Sequence, residues 1–253
     1  MKINDGIELF NEDNIKTMKR YQNKYFDIAI VDPPYGINGN SHRKNKSRSK
    51  AAKSKKYHDA LWDQDVPTGI YFKELKRVSK KQVIFGANYF KEICGTTFDP
   101  PRREFYKEFI KENPNGWMIW DKVNSTTSFN DCELAFIGHE HKTEIIYYMW
   151  SGMMQGLTIG REGSVMNGDK ASNEKRIHPT QKPVKLYEWL LMTYAEERKT
   201  VLDTHLGSGS IVIACHNLNL SFTGSEIDKT YFEDAVVRIQ NHVDQLTIFD
   251  NGA

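Results

Sequence analysis

The chain has 253 residues, 39% hydrophobic and 27% charged, with a formal net charge of +2. That is enough apolar material for one substantial α/β core with insertions, and no run of eighteen apolar residues is present to span a bilayer. The start lacks a charged segment followed by an apolar stretch, and the three cysteines, Cys94, Cys132 and Cys215, are odd in number and show no metal-ligand spacing. These features predict a cytoplasmic protein with no membrane segment, no disulfide framework and no metal.

Residues Glu8 to Tyr21 read as a short strand followed by a helix. Next comes Phe26-Asp27-Ile28-Ala29-Ile30-Val31, an apolar, β-branched run expected to be a buried strand. It stops abruptly at Asp32-Pro33-Pro34-Tyr35. Proline has no N–H and a fixed φ, so the carbonyls here are held rigidly outside any ladder. One carboxylate, fixed carbonyl acceptors and one aromatic face suit an exocyclic amino group on a flat ring. A proline-terminated strand with a capping Asp is the plainer alternative, since four-residue motifs occur by chance.

The segment Arg43 to Lys56 carries eight basic residues, Arg43, Lys44, Lys46, Arg48, Lys50, Lys53, Lys55 and Lys56, and no acid. Taking those eight from the 35 basic residues leaves 27 against 33 acidic ones, so the basic character is local. A solvated charge run is the bland explanation. Its position just after Tyr35 favours contact with phosphates of double-stranded DNA. Further on, Gly69 to Ser79 reads as an amphipathic helix and Gln82 to Phe85 as a second buried strand. Asp99 to Asn115 reads as a helical insertion. Trp117 to Lys122, Cys132 to Ile137 and Glu144 to Trp150 read as strands forming an antiparallel edge. Gly138-His139-Glu140-His141 is taken as a hairpin turn between two of them rather than a metal site. Ser151 to Arg176, rich in Gly, Ser, Met and Asn, reads as a second long loop.

Helix Val184 to Glu197 leads into Thr200-Val201-Leu202-Asp203-Thr204-His205-Leu206-Gly207-Ser208-Gly209-Ser210, a short apolar strand running into a glycine turn and then a helix. Nineteen residues after Gly207 stands Glu226, at the end of another strand-like run. Strand, glycine turn, helix, strand, acid is the layout of a nucleoside-binding βαβ unit, with the acid on the ribose hydroxyls. No lysine follows the glycines as in a phosphate-binding loop, which favours a nucleoside cofactor without phosphates. A final amphipathic helix is expected over Asp228 to Asp244.

Together, Asp32-Pro33-Pro34-Tyr35, Asp203 with Gly207-Ser208-Gly209, and His178-Pro179-Thr180-Gln181-Lys182-Pro183 resemble the motifs of the S-adenosylmethionine-dependent amino-group DNA methyltransferases. The catalytic motif precedes the cofactor motif, an order that resembles the permuted β class, and the likeness runs from Ile7 to about Ile239. It implies a Rossmann-like α/β fold, with a mostly parallel sheet, an antiparallel edge and helices on both faces. Residues 1–244 would form one catalytic domain, with DNA-recognition loops at 39–60 and 151–177. Asp32, Pro33, Pro34 and Tyr35 would act on the flipped base. Asp203, Thr204, His205, Gly207, Ser208, Gly209, Glu226 and Ile227 would surround the cofactor, with Thr180 and Lys182 at its carboxylate or at the loop covering it. Asn88 and Phe90 are weaker candidates. The family usually carries Pro-Phe after the cofactor aspartate, whereas Thr204-His205 stands here.

Asp at the first catalytic position resembles the adenine-modifying members, while geometry alone allows either adenine or cytosine; RNA as substrate and a non-catalytic DNA-binding protein are the competing readings. The resemblance implies a bacterial or phage-infected cell and leaves open whether the setting is restriction-modification or a phage; a homodimer is compatible with the chain. Residues 245–253 read as a tail in which Gln245, Leu246, Ile248 and Phe249 resemble the peptide that docks into the bacterial sliding clamp. The same apolar residues packed back on the domain are an equal alternative.

Overall fold

A computed structural model of the chain describes residues 1–36, 66–123, 131–151, 154–169, 171, 173–178, 180–195 and 200–250. The eight basic residues from Arg43 to Lys56 lie outside the described residues. The strands are β1 (Lys2–Asn4), β2 (Ile7–Asn11), β3 (Phe26–Val31), β4 (Ser79–Phe85), β5 (Asn115–Asp121), β6 (Cys132–Lys142), β7 (Glu144–Tyr147), β8 (Trp150–Ser151), β9 (Met154–Gln155), β10 (Thr200–Asp203) and β11 (Ser221–Glu226). The helices are α1 (Asn14–Met18), α2 (Gly69–Val78), α3 (Lys91–Cys94), α4 (Tyr106–Glu112), α5 (Val184–Tyr194), α6 (Ser210–Asn217) and α7 (Lys229–Asp250). None is long and apolar enough to cross a membrane.

Nine strands form one sheet in the order β1-β2-β11-β10-β3-β4-β6-β5-β7. The run in β3 is continuous because both of its faces are covered. Ile28 and Ile30 join the core beneath α5, α6 and α7, while Phe26, Ala29 and Val31 join the core beneath α2 and α4. At about 25 cal/mol per Å2 of apolar surface removed from water, this double burial drives the layered arrangement.

The far side of the sheet departs from the sequence expectation. β6 is antiparallel to both β4 and β5, but β7 runs parallel to β5. The expected antiparallel edge is therefore a single reversed strand inside a parallel sheet, with a second reversal at β1. Nor is Gly138-His139-Glu140-His141 a hairpin turn. β6 continues through it to Lys142, and Gly138, at φ +93°, opposes Gly116 where the register slips. Glycine here marks a bulge, not a chain reversal. The chain turns instead at Thr143, whose N–H donates to Pro114 O and whose hydroxyl donates to Asn113 O.

The expected loop at 151–176 contains β9, is tied back to the sheet by a bridge from Tyr147 to Gly160, and is closed on itself by a bridge from Gly156 to Met166. The insertion at 99–115 is helical only over α4 and a 3-10 turn at Arg103–Phe105. The last helix runs on to Asp250, so the backbone of 245–250 is helical rather than extended. Asp228 caps its start, accepting from the N–H groups of Thr230 and Tyr231 at 2.8 and 3.0 Å.

Candidate active site

β10 and β3 are parallel neighbours, with Val201 opposite Ile28 and Leu202 opposite Ala29, although they lie far apart in sequence. From β10 the chain crosses to β11 on one side, and from β3 it crosses to β4 on the other. The order of the sheet reverses between them, and in open α/β sheets the crevice at such a switch point is the binding site. Asp32 follows β3, Asp203 ends β10 and Glu226 ends β11. All three acids therefore stand at one end of the sheet.

Asp32 uses both carboxylate oxygens. Oδ1 accepts from the Tyr35 hydroxyl at 2.6 Å, and Oδ2 pairs with Lys182 Nζ at 2.5 Å. Lys182 also reaches Glu133 Oε2 at 3.0 Å, and Lys122 pairs with Glu133 Oε1 at 2.5 Å. Four alternating charges thus link the end of β3 to β6 and β5. Burial raises the Asp32 carboxyl above its usual range, and the Glu133 charge adds to this against the pull of Lys182. Burial acts on Glu133 in the same sense, but the ammonium groups of Lys122 and Lys182 outweigh it and bring it to about 2. Lys182 stays protonated, because its two carboxylate partners overcome the penalty of burial. Its ammonium also lies 4.5 Å from the centre of the Phe85 ring.

The ring of Tyr35 stacks on Tyr89 at 5.3 Å and meets the edge of Phe90 at 6.2 Å. Its other support is Gly86, at φ +64°, where a Cβ would overlap the tyrosine ring. Asn88 is fully buried and donates to Phe98 O at 2.8 Å, a role in the frame of this turn.

A cavity of about 460 Å3 runs along the switch point. Of the residues singled out in the sequence, it is lined by Asp32, Pro34, Thr180, Lys182, Thr204, His205, Gly207, Ser208, Glu226 and Ile227. Pro33, Tyr35, Asp203 and Gly209 do not line it. Asp203 is buried and accepts from His205 N–H at 2.9 Å; burial pushes its carboxyl up to about 8. Gly209, at φ +71°, packs where a Cβ would come within 2.8 Å of Ile239 Cδ1. Both shape the turn from behind. Glu226 accepts from Gly207 N–H at 2.9 Å and from Asp228 N–H at 3.0 Å, while burial raises its carboxyl.

Thr204 and His205 lie in a polar chain that sequence reading missed. Tyr71 Oη meets Thr204 Oγ1 at 2.7 Å, Thr204 Oγ1 meets His205 Nδ1 at 3.0 Å, and His205 Nε2 meets Asn14 Nδ2 at 3.1 Å. Burial lowers His205 to about 3, so it is neutral and serves as a spacer in the wall. Lys182, expected at the cofactor carboxylate or at the loop covering it, lines the cavity and pairs with Asp32. Glu133 and Lys122 were also missed. The glycine turn is braced from α7, where Arg238 donates to Ser208 O at 2.6 Å and pairs with Glu174 at 2.5 Å. Glu174 also accepts from Val184 N–H at 3.0 Å, which ties the 151–177 segment to the start of α5.

Residues 158–237 match the family model described as DNA methylase, covering N6 and N4 methyltransferases. The type II methyltransferase M.HpaI of Haemophilus parainfluenzae is 24% identical over 242 residues, covering 90% of this chain and 72% of that protein. The type II methyltransferase M2.DpnII of Streptococcus pneumoniae is 21% identical, over 92% of this chain and 89% of its own length. The chain is thus similar, over nearly its whole length, to amino-group DNA methyltransferases. Among solved structures, the PvuII DNA methyltransferase, cytosine-N4-specific, shares the fold, with a TM-score of 0.51 and 12% identity over 98% of this chain and 94% of that one.

The lining suits S-adenosylmethionine as the methyl donor. One cavity joins exposed, apolar Ile227 and the Glu226 acceptor, through the Gly207 turn, to Asp32. Its volume lies in the range of small-molecule sites. Among the described residues no cluster of His, Cys, Asp or Glu is arranged to hold a metal ion.

Proposed function

We propose that the protein transfers a methyl group from S-adenosylmethionine to the exocyclic amino group of adenine in double-stranded DNA. The observation that carries this reading is the single cavity that joins the Glu226–Gly207 cradle to Asp32. When bound, the cofactor supplies a methyl on a positively charged sulfur, which a nucleophilic nitrogen takes up as the C–S bond breaks.

An amino nitrogen on an aromatic base is a poor nucleophile because its lone pair is delocalised into the ring. Asp32 and the Pro33 carbonyl each accept one of its hydrogens, an arrangement that returns the lone pair to nitrogen and aims it. Fixed acceptors also stabilise the positive charge that develops there. Asp32 then takes the surplus proton, a role that suits a carboxyl raised by burial. The target nitrogen is out of reach inside a duplex, so the base is flipped and its face stacked on Tyr35. Glu226 receives the ribose hydroxyls.

Adenine is favoured by Asp32, since the cytosine-modifying members commonly carry Ser at that position. Arg43 to Lys56 and the 151–177 segment supply the DNA contacts. At the other end of the chain, Gln245, Leu246, Ile248 and Phe249 form the candidate sliding-clamp peptide. The helical backbone of 245–250 must unwind to present it as an extended segment. Loss of clamp binding on Phe249→Ala would support that docking, and no binding by the intact protein would exclude it.

The test is incubation of the pure protein with mixed-sequence duplex DNA and S-adenosylmethionine, then digestion to nucleosides and mass spectrometry. N6-methyladenine that disappears with Asp32→Ala is the expected result. Methyl on the cytosine amino group would overturn the base assignment, and no methyl on DNA would overturn the activity.

A further inference from the structure

Both oxygens of Asp32 are engaged before any base arrives, one by Tyr35 and one by Lys182. An incoming amino group needs one of them. The Lys182 ammonium has three donors, and three acceptors lie around it: Asp32 Oδ2 at 2.5 Å, Glu133 Oε2 at 3.0 Å and Tyr35 Oη at 3.3 Å. The side chain is 3% exposed, so water is a poor substitute for a missing partner. Leaving a buried ammonium with no anion is strongly unfavourable. Glu133 removes that obstacle, because it already touches Lys182 and is itself fixed by Lys122. It reaches the cluster because β6 runs against its neighbours, setting Glu133 opposite Trp120 just before Lys122.

We propose that Glu133 is a positioning residue for methyl transfer: it takes the Lys182 ammonium from Asp32 as the amino group enters, freeing the Asp32 carboxylate, while Lys122 holds Glu133 in place for that exchange. This rests on the methyl-transfer activity proposed above. The other ionisable groups around the cluster are Tyr35 beside Asp32, Tyr71 of α2, Tyr89, Cys132 of β6, Tyr187 of α5, Asp203 of β10 and His178. Burial keeps the tyrosines and the thiol protonated at neutral pH and holds His178, lowered to about 4, neutral. Asp203, raised to about 8, is common to every variant below.

The experiment uses full-length protein with Glu133→Gln, Glu133→Asp, Lys182→Met and the Glu133→Gln/Lys182→Met pair. Single-turnover methylation is measured beside DNA and S-adenosylhomocysteine affinity. Glu133→Gln is expected to slow methyl transfer on the order of 10- to 100-fold through misplaced acceptors, with both affinities unchanged. Glu133→Asp should recover part of the rate. On the Lys182→Met background, Glu133→Gln should change the rate by less than about twofold, because its action passes through the ammonium. In cofactor-free protein, the Asp32 carboxyl 13C titration should move to lower pH in Glu133→Gln, since one negative neighbour is gone. Equal losses on the two backgrounds, or an unmoved Asp32 titration, would overturn the proposal. Should Glu133→Gln fail to fold, Glu133→Ala carries the same two readouts, since it too removes the carboxylate. An Asp32 shift in Glu133→Gln together with no methyl transfer by the wild-type protein would overturn the proposed activity while leaving the coupling of Glu133 to Asp32 in place.

Discussion

Tyr35 donates its hydroxyl to Asp32 Oδ1 at 2.6 Å while its ring lies on Tyr89. The same side chain thus holds the Asp32 carboxylate and, in the proposed reaction, would supply the ring on which the flipped base stacks. These two roles separate under substitution. Tyr35→Phe keeps the ring and releases Oδ1, so most single-turnover activity should remain. Tyr35→Ala also removes the stacking, about 1–3 kcal/mol per base, and should cost roughly 5- to 150-fold. Equal losses in the two variants would show that stacking is not what Tyr35 supplies.

Gly86 is the position on which that ring depends. Gly86→Ala would set a Cβ into the Tyr35 ring and hold it at φ +64°. A destabilisation of about 1–3 kcal/mol is expected, with a loss of methylation larger than the fall in folded fraction. Denaturant unfolding and the methylation assay, run on one preparation, check both.

Glu226 accepts from the N–H groups of Gly207 and Asp228. Glu226→Gln keeps one acceptor oxygen and places a donor where the other stood. Hydrogen bonds to a charged group contribute about 1.5–3 kcal/mol, so S-adenosylhomocysteine should bind roughly 10- to 150-fold more weakly in calorimetry. Unchanged affinity would remove Glu226 from the ribose.

Asp203 gives the protein a pH signature. Its folded carboxyl is raised to about 8 by burial, so between about 4 and about 8 the folded state holds a proton that the unfolded chain has released. Stability from this group is full below pH 4 and falls as pH rises through that window. Asp203→Asn keeps an acceptor for His205 N–H and removes the titration. Its stability relative to wild type should therefore climb from pH 5 to pH 8 in denaturant unfolding. A constant difference would show that Asp203 is charged in the folded protein.

The basic stretch predicts a salt effect. Replacing Lys50, Lys53, Lys55 and Lys56 with Ala should weaken binding of any duplex. It should also flatten the plot of log affinity against log salt by about 0.9 for each phosphate that is no longer neutralised. Cofactor affinity should not change. An unaltered slope would assign these lysines to solvent alone.

The sequence by itself determined the pieces that depend on neighbours along the chain. The strand over Phe26–Val31 is legible because a double-covered strand needs an unbroken apolar run. The turn at Gly207–Gly209 is legible because left-handed backbone favours glycine. The segment around His139 is not legible in the same way, because glycine marks turns and bulges alike. Only the tertiary structure decided which distant segments meet. Pairing of β3 with β10 puts Asp32 and the cofactor turn into one crevice. Reversal of β6 brings Glu133 to Lys182, the lysine that pairs with the Asp32 carboxylate. No periodicity encodes an ion pair between residues 49 positions apart. A lone Glu or Lys in a strand carries no mark of its partner until the sheet fixes the register, and the partner then sets its charge and its role.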